Sequence, residues 1–282
     1  HSGQACSLNF VPAPANSGVH FVRADLPYKP YLRVHAHNVS ATGYATTFGG
    51  SMFSVSTIEH CLSALSALRI DNLIIELDGP EIPIIDGSSL PFLVAIQKVG
   101  IIELDQPRKY CYMTEPVEFV DGEKSAKIVP YHGLRISVTI DFAHPVIGIQ
   151  NFDLDINEQS FSREIAGART FGFLKDVEDL HHRGLGLGGS LDNVVVLDDE
   201  KIMNPEGLRF PDEFVRHKTL DALGDLVTLG MPLMGHLSLY KAGHDVMNKL
   251  IRKIIDSPQC YRHVELGTDL NGEALWKAST WS

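Results

Sequence analysis

The chain has 282 residues, with 24 Lys and Arg set against 35 Asp and Glu, a formal net charge of −11, and 44% hydrophobic against 21% charged residues. That length suits two domains, and the balance is that of a globular fold, which excludes long disorder, a fibrous repeat and a coiled coil. The acidic balance argues against a broad nucleic-acid or anionic-membrane surface but leaves room for a local basic pocket, and no apolar run approaches the ~20 residues needed to span a bilayer. Four widely spaced cysteines (Cys6, Cys61, Cys111, Cys260) without a C-x-x-C suit reduced thiols in a cytosol-like compartment.

In chain order, short β-branched or aromatic stretches at 19–22, 31–34 and 44–48 read as strands, with Gly and Pro between them. Residues 56–68 place Ile58, Leu62, Leu65 and Leu68 at helical spacing, and 72–77 reads as a buried strand. A Pro/Gly-rich turn over 78–89 leads into a helix over 90–99. The pattern restarts near 105–107 with strands at 109–112, 117–120, 126–129 and 134–142. Helices over 212–229 and 242–256 flank a strand at 236–240. Leu62-Ser-Ala-Leu65 and Leu220-Asp-Ala-Leu223 each lie on a helix that precedes an apolar strand, a weak internal repeat. Two strand-then-helix α+β domains follow as the expectation, 1–105 and 106–282.

Metal ligands and proton carriers concentrate in three places. In Arg216-His-Lys-Thr-Leu-Asp221, His217 and Asp221 are four apart and project from one helix face, where an imidazole and a carboxylate can share a divalent ion. The same spacing also serves an ordinary hydrogen-bonded pair. Thr57-Ile-Glu-His60 places Glu59 and His60 at the start of a helix, in neither the H-E-x-x-H nor the H-x-x-E-H arrangement of the common zinc proteases. A helix-start acid favoured by the helix dipole is the competing reading. Lys241-Ala-Gly-His244 sets a third histidine where a strand gives way to a helix. Taken together, two His and one Asp leave a fourth position open for water, as in catalytic zinc, with Glu59 available as base and His244 as acid.

These motifs sit in a wider set. Thr57-Ile-Glu-His60, Ile70-Asp-Asn72, Glu76-Leu-Asp-Gly-Pro-Glu81 and Pro83-Ile-Ile-Asp-Gly87 resemble the first half of the LpxC family, the UDP-3-O-acyl-N-acetylglucosamine deacetylases of lipid A biosynthesis. Ala168-Arg-Thr-Phe-Gly-Phe173, Ser190-Leu-Asp-Asn-Val194, Asn204-Pro-Glu-Gly207, Arg216-His-Lys-Thr-Leu-Asp221 and Lys241-Ala-Gly-His244 follow in that family's order. The resemblance runs from residue 1 to about 250, with no matching motif beyond about 256. The opening His1-Ser-Gly resembles the end of the family's G-x-G-L-H-S-G turn, so a first strand, and any targeting segment, is expected upstream of His1.

The resemblance implies two related α+β domains, each a layered helix/sheet sandwich, with the site between them and a small βαβ insert at about 172–205. It implies zinc held by His60, His217 and Asp221, Fe(II) being compatible with the same ligands. Glu59 is then the general base, His244 the acid and oxyanion stabiliser, Asp225 the partner that orients His244, and Thr170 a hydroxyl contact to the tetrahedral intermediate. Base and acid need opposite protonation states, so a bell-shaped pH profile is expected. Phe142 is expected to stack on uracil, Phe171 to line the site and Lys218 to approach the diphosphate. Phe173, Leu185, Leu187, Gly189 and the valines at 194–196 are expected along an acyl passage. Gly184, Gly186 and Gly189 spell G-x-G-x-x-G, but no strand precedes them, which disfavours a dinucleotide site.

The implied activity is hydrolytic removal of acetate from a UDP-linked, 3-O-acylated amino sugar, in the cytoplasm of a Gram-negative bacterium, or in an organelle if a transit peptide has been removed. A monomer is expected, with no nucleic-acid partner. A silent nucleotide-sugar binder would not need both proton carriers, and the chain after 256 is too short for an appended dehydratase domain.

Overall fold

The computed structural model describes residues 1–50, 53–268 and 274–278, with side chains described as far as Glu265. The first part of the chain forms β1 (Leu8–Pro12), β2 (Val19–Arg23), β3 (Tyr31–Arg33), β4 (Val39–Ala41), β5 (Thr47–Gly50) and β6 (Phe53–Val55). Helix α1 (Glu59–Ala67), strand β7 (Leu73–Leu77) and helix α2 (Leu90–Val99) complete it. One four-stranded sheet runs β1-β7-β2-β3, with β7 antiparallel to β1 and parallel to β2. A parallel neighbour requires a crossover, and α1 lies on the connection that supplies it. A separate antiparallel sheet, β4-β5-β6, precedes α1.

The second part contains β8 (Lys109–Met113), β9 (Val117–Asp121), β10 (Lys124–Val129), β11 (Leu134–Phe142), β12 (Gly148–Asp155), α3 (Glu158–Glu164), β13 (Phe171–Phe173), α4 (Val177–His182) and β14 (Val195–Leu197). It continues through α5 (Glu213–Leu226), β15 (Leu233–Tyr240), α6 (His244–Ile255), β16 (Tyr261–Thr268) and β17 (Ala274–Ala278). Its main sheet runs β12-β11-β15-β8-β16-β17, with β10 pairing β15 and carrying β9. Strand β15 is parallel to both β11 and β8. The pair β13/β14 is parallel with α4 on its connection, the small βαβ insert expected from the sequence. The fold is α+β.

Helix α5 is the axis of the molecule. All of it is buried except Arg216 and Lys218, so it cannot show one wet face. It packs along α1, whose only partly exposed residue is Ser66. Gly224 allows the closest approach: a Cβ there would lie 2.1 Å from the Glu59 carbonyl oxygen. Helix α6 is amphipathic in the ordinary way, burying Val246, Met247, Leu250, Ile251 and Ile254 at helical spacing. One continuous apolar core joins Phe21, Ile75 and Leu62 from the first part to Ile128, Leu223 and Leu250 from the second. The four cysteines are unpaired, and Cys61 and Cys111 are core residues.

The structure corrects three sequence expectations. The stretch 44–48 becomes a strand only from Thr47, because residues 43–45 form a bend that faces the site. Helix α1 begins at Glu59 and not at 56, since Thr57 adopts φ +57°, a left-handed conformation that a helix cannot contain. The helix expected to reach 229 ends at Leu226 and closes in a 3₁₀ turn on Gly230 at φ +84°.

Candidate metal and catalytic site

The site forms where the start of α1, the middle of α5 and the start of α6 meet. Thr57 is anchored by its hydroxyl to the Glu81 carboxylate at 2.9 Å, and the turn it makes delivers Glu59 and His60 into the first turn of α1. On α5, His217, Asp221 and Asp225 follow at intervals of four and share one stripe. His244 is the first residue of α6, placed by Gly243. All six side chains are buried.

His60, His217 and Asp221 converge, one ligating atom of each lying within 4.8 Å of the others. Asp221 Oδ1 lies 3.3 Å from His217 Nε2 and 3.6 Å from His60 Nε2, and the two rings are 4.9 Å apart and nearly perpendicular. His217 Nδ1 pairs with the Ala168 carbonyl at 3.1 Å, which fixes the ring with Nε2 turned to the cluster. Asp221 Oδ1, although buried, has no hydrogen-bond partner, and neither has His60 Nδ1. Burial, then the neighbouring His217, pushes His60 down to about 3, and burial lowers His217 too, so both imidazoles are neutral at pH 7. Asp221 is held below the ordinary carboxylate range: burial opposes its charge, but His217 and the Lys218 ammonium outweigh it. Two neutral imidazoles and an ionised carboxylate oxygen lacking a donor are the donor set a divalent cation satisfies.

Glu59 and His244 form the neighbouring pair, with Glu59 Oε1 3.8 Å from His244 Nε2. Burial raises Glu59 to about 7, with His244 opposing the shift. Burial works against the His244 charge, yet the Asp225 and Glu59 carboxylates raise it to about 10. Asp225 Oδ2 lies 2.7 Å from His244 Nδ1. Lys218 Nζ donates to Asp221 Oδ2 at 2.9 Å and lies over the Phe171 ring.

These groups open onto a cavity of about 290 Å³, lined by Glu59, His60, Thr170, Phe171, His217, Lys218, Asp221 and His244 together with Thr42, Gly43, Tyr44, Asp121, Lys124, Gly243, Asp245 and Val246. Asp225 stands behind it, reached through His244. The remaining candidates do not line that cavity. Phe142, at the end of β11, packs edge-on against Phe171 at 5.6 Å and against Phe173 at 6.0 Å. Leu185, Leu187 and Gly189 follow α4, where Leu187 is exposed and donates its N–H to the His1 carbonyl.

Sequence reasoning missed several contributors. Thr46 donates its hydroxyl to Asp225 and its backbone N–H to Glu59, a link no local pattern announces. Asp121 and Lys124 reach the cavity from the β9–β10 hairpin, whose letters read as an ordinary charged turn. Arg169, 2% exposed, is clamped by Glu213 and fixes the segment that carries Ala168 and Thr170.

Comparison with known proteins matches the family model of UDP-3-O-acyl N-acetylglycosamine deacetylase, LpxC, over residues 1–256. The chain belongs to the LpxC family. A UDP-3-O-acyl-N-acetylglucosamine deacetylase of Bdellovibrio bacteriovorus is 70% identical over 273 residues, 97% of this chain and 90% of that protein. Proteins of the same name from Myxococcus xanthus and an Anaeromyxobacter species are 50% and 46% identical, covering 94% and 95% of this chain and 84% and 88% of their own lengths. As a member of the LpxC family the chain is a hydrolase, of a family of metalloenzymes. Among the described residues no helix is long and apolar enough to cross a membrane.

Proposed function

We propose that the chain hydrolyses the acetamide of UDP-3-O-(3-hydroxyacyl)-N-acetylglucosamine, releasing acetate and the free amine, as a zinc enzyme of lipid A biosynthesis. The observation that carries this reading is the convergence of His60, His217 and Asp221 on one point, with Glu59 and His244 beside it on the same cavity. The three ligands would hold Zn²⁺, or Fe²⁺, which when bound supplies Lewis-acid polarisation of the acetamide carbonyl and a more acidic water.

The remaining work falls to the protein. Glu59, raised towards neutrality by burial, takes the proton of the attacking water. His244, kept charged by Asp225 and Glu59, stabilises the developing oxyanion and donates its proton to the departing amine. Thr170 contributes its hydroxyl to the tetrahedral intermediate and Phe171 walls that position. Lys218 offers a cation to the diphosphate, Phe142 a ring to the uracil, and Phe173, Leu185, Leu187 and Gly189 an apolar passage for the acyl chain. The proposal includes two domains meeting at the site, 1–105 and 106–282, a monomeric enzyme, and a cytoplasmic setting.

The test is mass spectrometry of UDP-3-O-(3-hydroxyacyl)-N-acetylglucosamine incubated with the protein. Loss of one acetyl group, abolished by a chelator and restored by Zn²⁺, is the expected result. An unchanged substrate in the presence of folded, zinc-loaded protein overturns the reading.

A further inference from the structure

The two proposed proton carriers and the carboxylate that orients one of them come from three helices, and their orientations must be fixed relative to one another. Asp225 uses both carboxylate oxygens: Oδ2 faces His244 Nδ1 at 2.7 Å, and Oδ1 accepts the Thr46 hydroxyl at 2.7 Å. The same Thr46 donates its backbone N–H to Glu59 Oε2 at 3.2 Å, which leaves Oε1 as the oxygen turned towards His244. Thr46 is 2% exposed and sits next to residues 42–44, which line the cavity. Its contact with Asp225 spans 179 positions of chain. A hydroxyl on one oxygen and an imidazole on the other pin the carboxylate plane, and the plane sets the ring of His244.

We propose that Thr46 is a positioning residue for the deacetylation, holding Asp225 through its hydroxyl and Glu59 through its N–H so that base and acid face the same acetamide. This inference rests on the roles proposed above for Glu59, Asp225 and His244. A buried Thr needs some acceptor in any fold, but the acceptor here is the carboxylate that orients His244, and a valine of the same shape would leave one of its oxygens without a donor.

The experiment compares zinc-loaded Thr46→Val, Thr46→Ser and Thr46→Cys with the parent, reading kcat and KM separately on UDP-3-O-(3-hydroxyacyl)-N-acetylglucosamine. Losing one hydrogen bond to a charged group should lower kcat roughly 10- to 100-fold, with KM within about twofold. Thr46→Ser restores the hydroxyl and should return to within about threefold of the parent. NMR of histidine-labelled protein should show a slowly exchanging His244 Nδ1–H in the parent and the serine variant, and its loss or displacement in the valine variant. Should Thr46→Val not fold, Thr46→Cys, of similar size with a weak donor, takes its place in both readouts. A folded valine or cysteine variant with parental kcat and an unchanged His244 resonance overturns the inference, as does a serine variant as impaired as the valine. Glu59→Gln and His244→Gln run in parallel: if they retain parental turnover, the assigned roles fail, whereas their loss beside an active Thr46→Val sinks the Thr46 inference alone.

Discussion

Asp221 and Glu59 lie in the same buried pocket yet are driven in opposite directions, Asp221 below the ordinary carboxylate range and Glu59 up to about 7. The difference is which groups face them: Asp221 has the His217 ring and the Lys218 and His244 cations, whereas Glu59 meets burial with His244 as its main offset and two further carboxylates against it. One is suited to hold a cation, the other to take a proton. Glu59→Ala should therefore keep its metal, measured by elemental analysis after dialysis, and lose roughly 10²- to 10⁴-fold in kcat. Asp221→Ala should lose the metal itself. A Glu59→Ala enzyme with near-normal rates would show that the base has been misassigned. His244 supplies the pH dependence. Its value is raised in the folded chain from 6.5 to about 10, so the stability its charge contributes is complete below the ordinary histidine value and is lost as pH rises through the folded one, where the charge itself goes. The alkaline limb of kcat should accordingly lie near pH 10, and Asp225→Asn, which removes a carboxylate holding the charge, should move that limb to lower pH. An unmoved limb would detach His244 from it. At this scale the ligands were legible because a helix brings i and i+4 together. Thr46 and Arg169 were not, since each acts on a partner far away in sequence, and Lys124 reaches the cavity only through the fold of its hairpin.

Helices were legible where caps and periodicity agreed. Helix α2 runs over the expected 90–99, with Pro91 in its first turn and Gly100 at φ +85° closing it. Strand β11 likewise has the expected limits. Strands β1, β4, β6, β12, β16 and β17 and helix α3 went unread, β12 because it alternates partly buried with exposed residues and buries none fully. The start of α1 was misread for a reason that matters to the site: the left-handed Thr57 that shortens the helix also aims Glu59 and His60. The meeting of α1 with α5 depends on Gly224, which the sequence presents as an unremarked helix-interior glycine. Its cost in helix propensity, about 1 kcal/mol relative to alanine, is accepted where a Cβ would strike backbone. Gly224→Ala should thus destabilise the fold by about 1–3 kcal/mol and not stabilise it, as measured by denaturant unfolding. It should also lower kcat, because the atom it strikes belongs to Glu59. A variant more stable than the parent would mean that the helices can separate freely.

Across the whole molecule, the metal ligands come from elements more than 150 positions apart, yet they meet in one continuous core with α5 at its centre. The core holds two neutral imidazoles against an ionised carboxylate, leaving Asp221 Oδ1 without a partner. A buried acceptor left in that condition costs roughly 1–3 kcal/mol, a cost carried by the fold and removed when a cation arrives. Because the unfolded chain has no such arrangement, binding energy becomes folding energy. A ligand at 100 times its Kd adds about 2.7 kcal/mol, and at 1,000 times about 4.1. The melting temperature of chelator-treated protein should consequently rise by several degrees on adding Zn²⁺, in proportion to the logarithm of free metal. Asp221→Ala should melt at one temperature with or without the ion, since it has lost both the uncompensated acceptor and the ligand. Glu59→Ala should respond to Zn²⁺ as the parent does, because Glu59 faces the reaction and not the ion. A parent protein whose melting ignores Zn²⁺ would mean that the cluster is an ordinary buried polar network, held by its own contacts with Lys218 and Ala168.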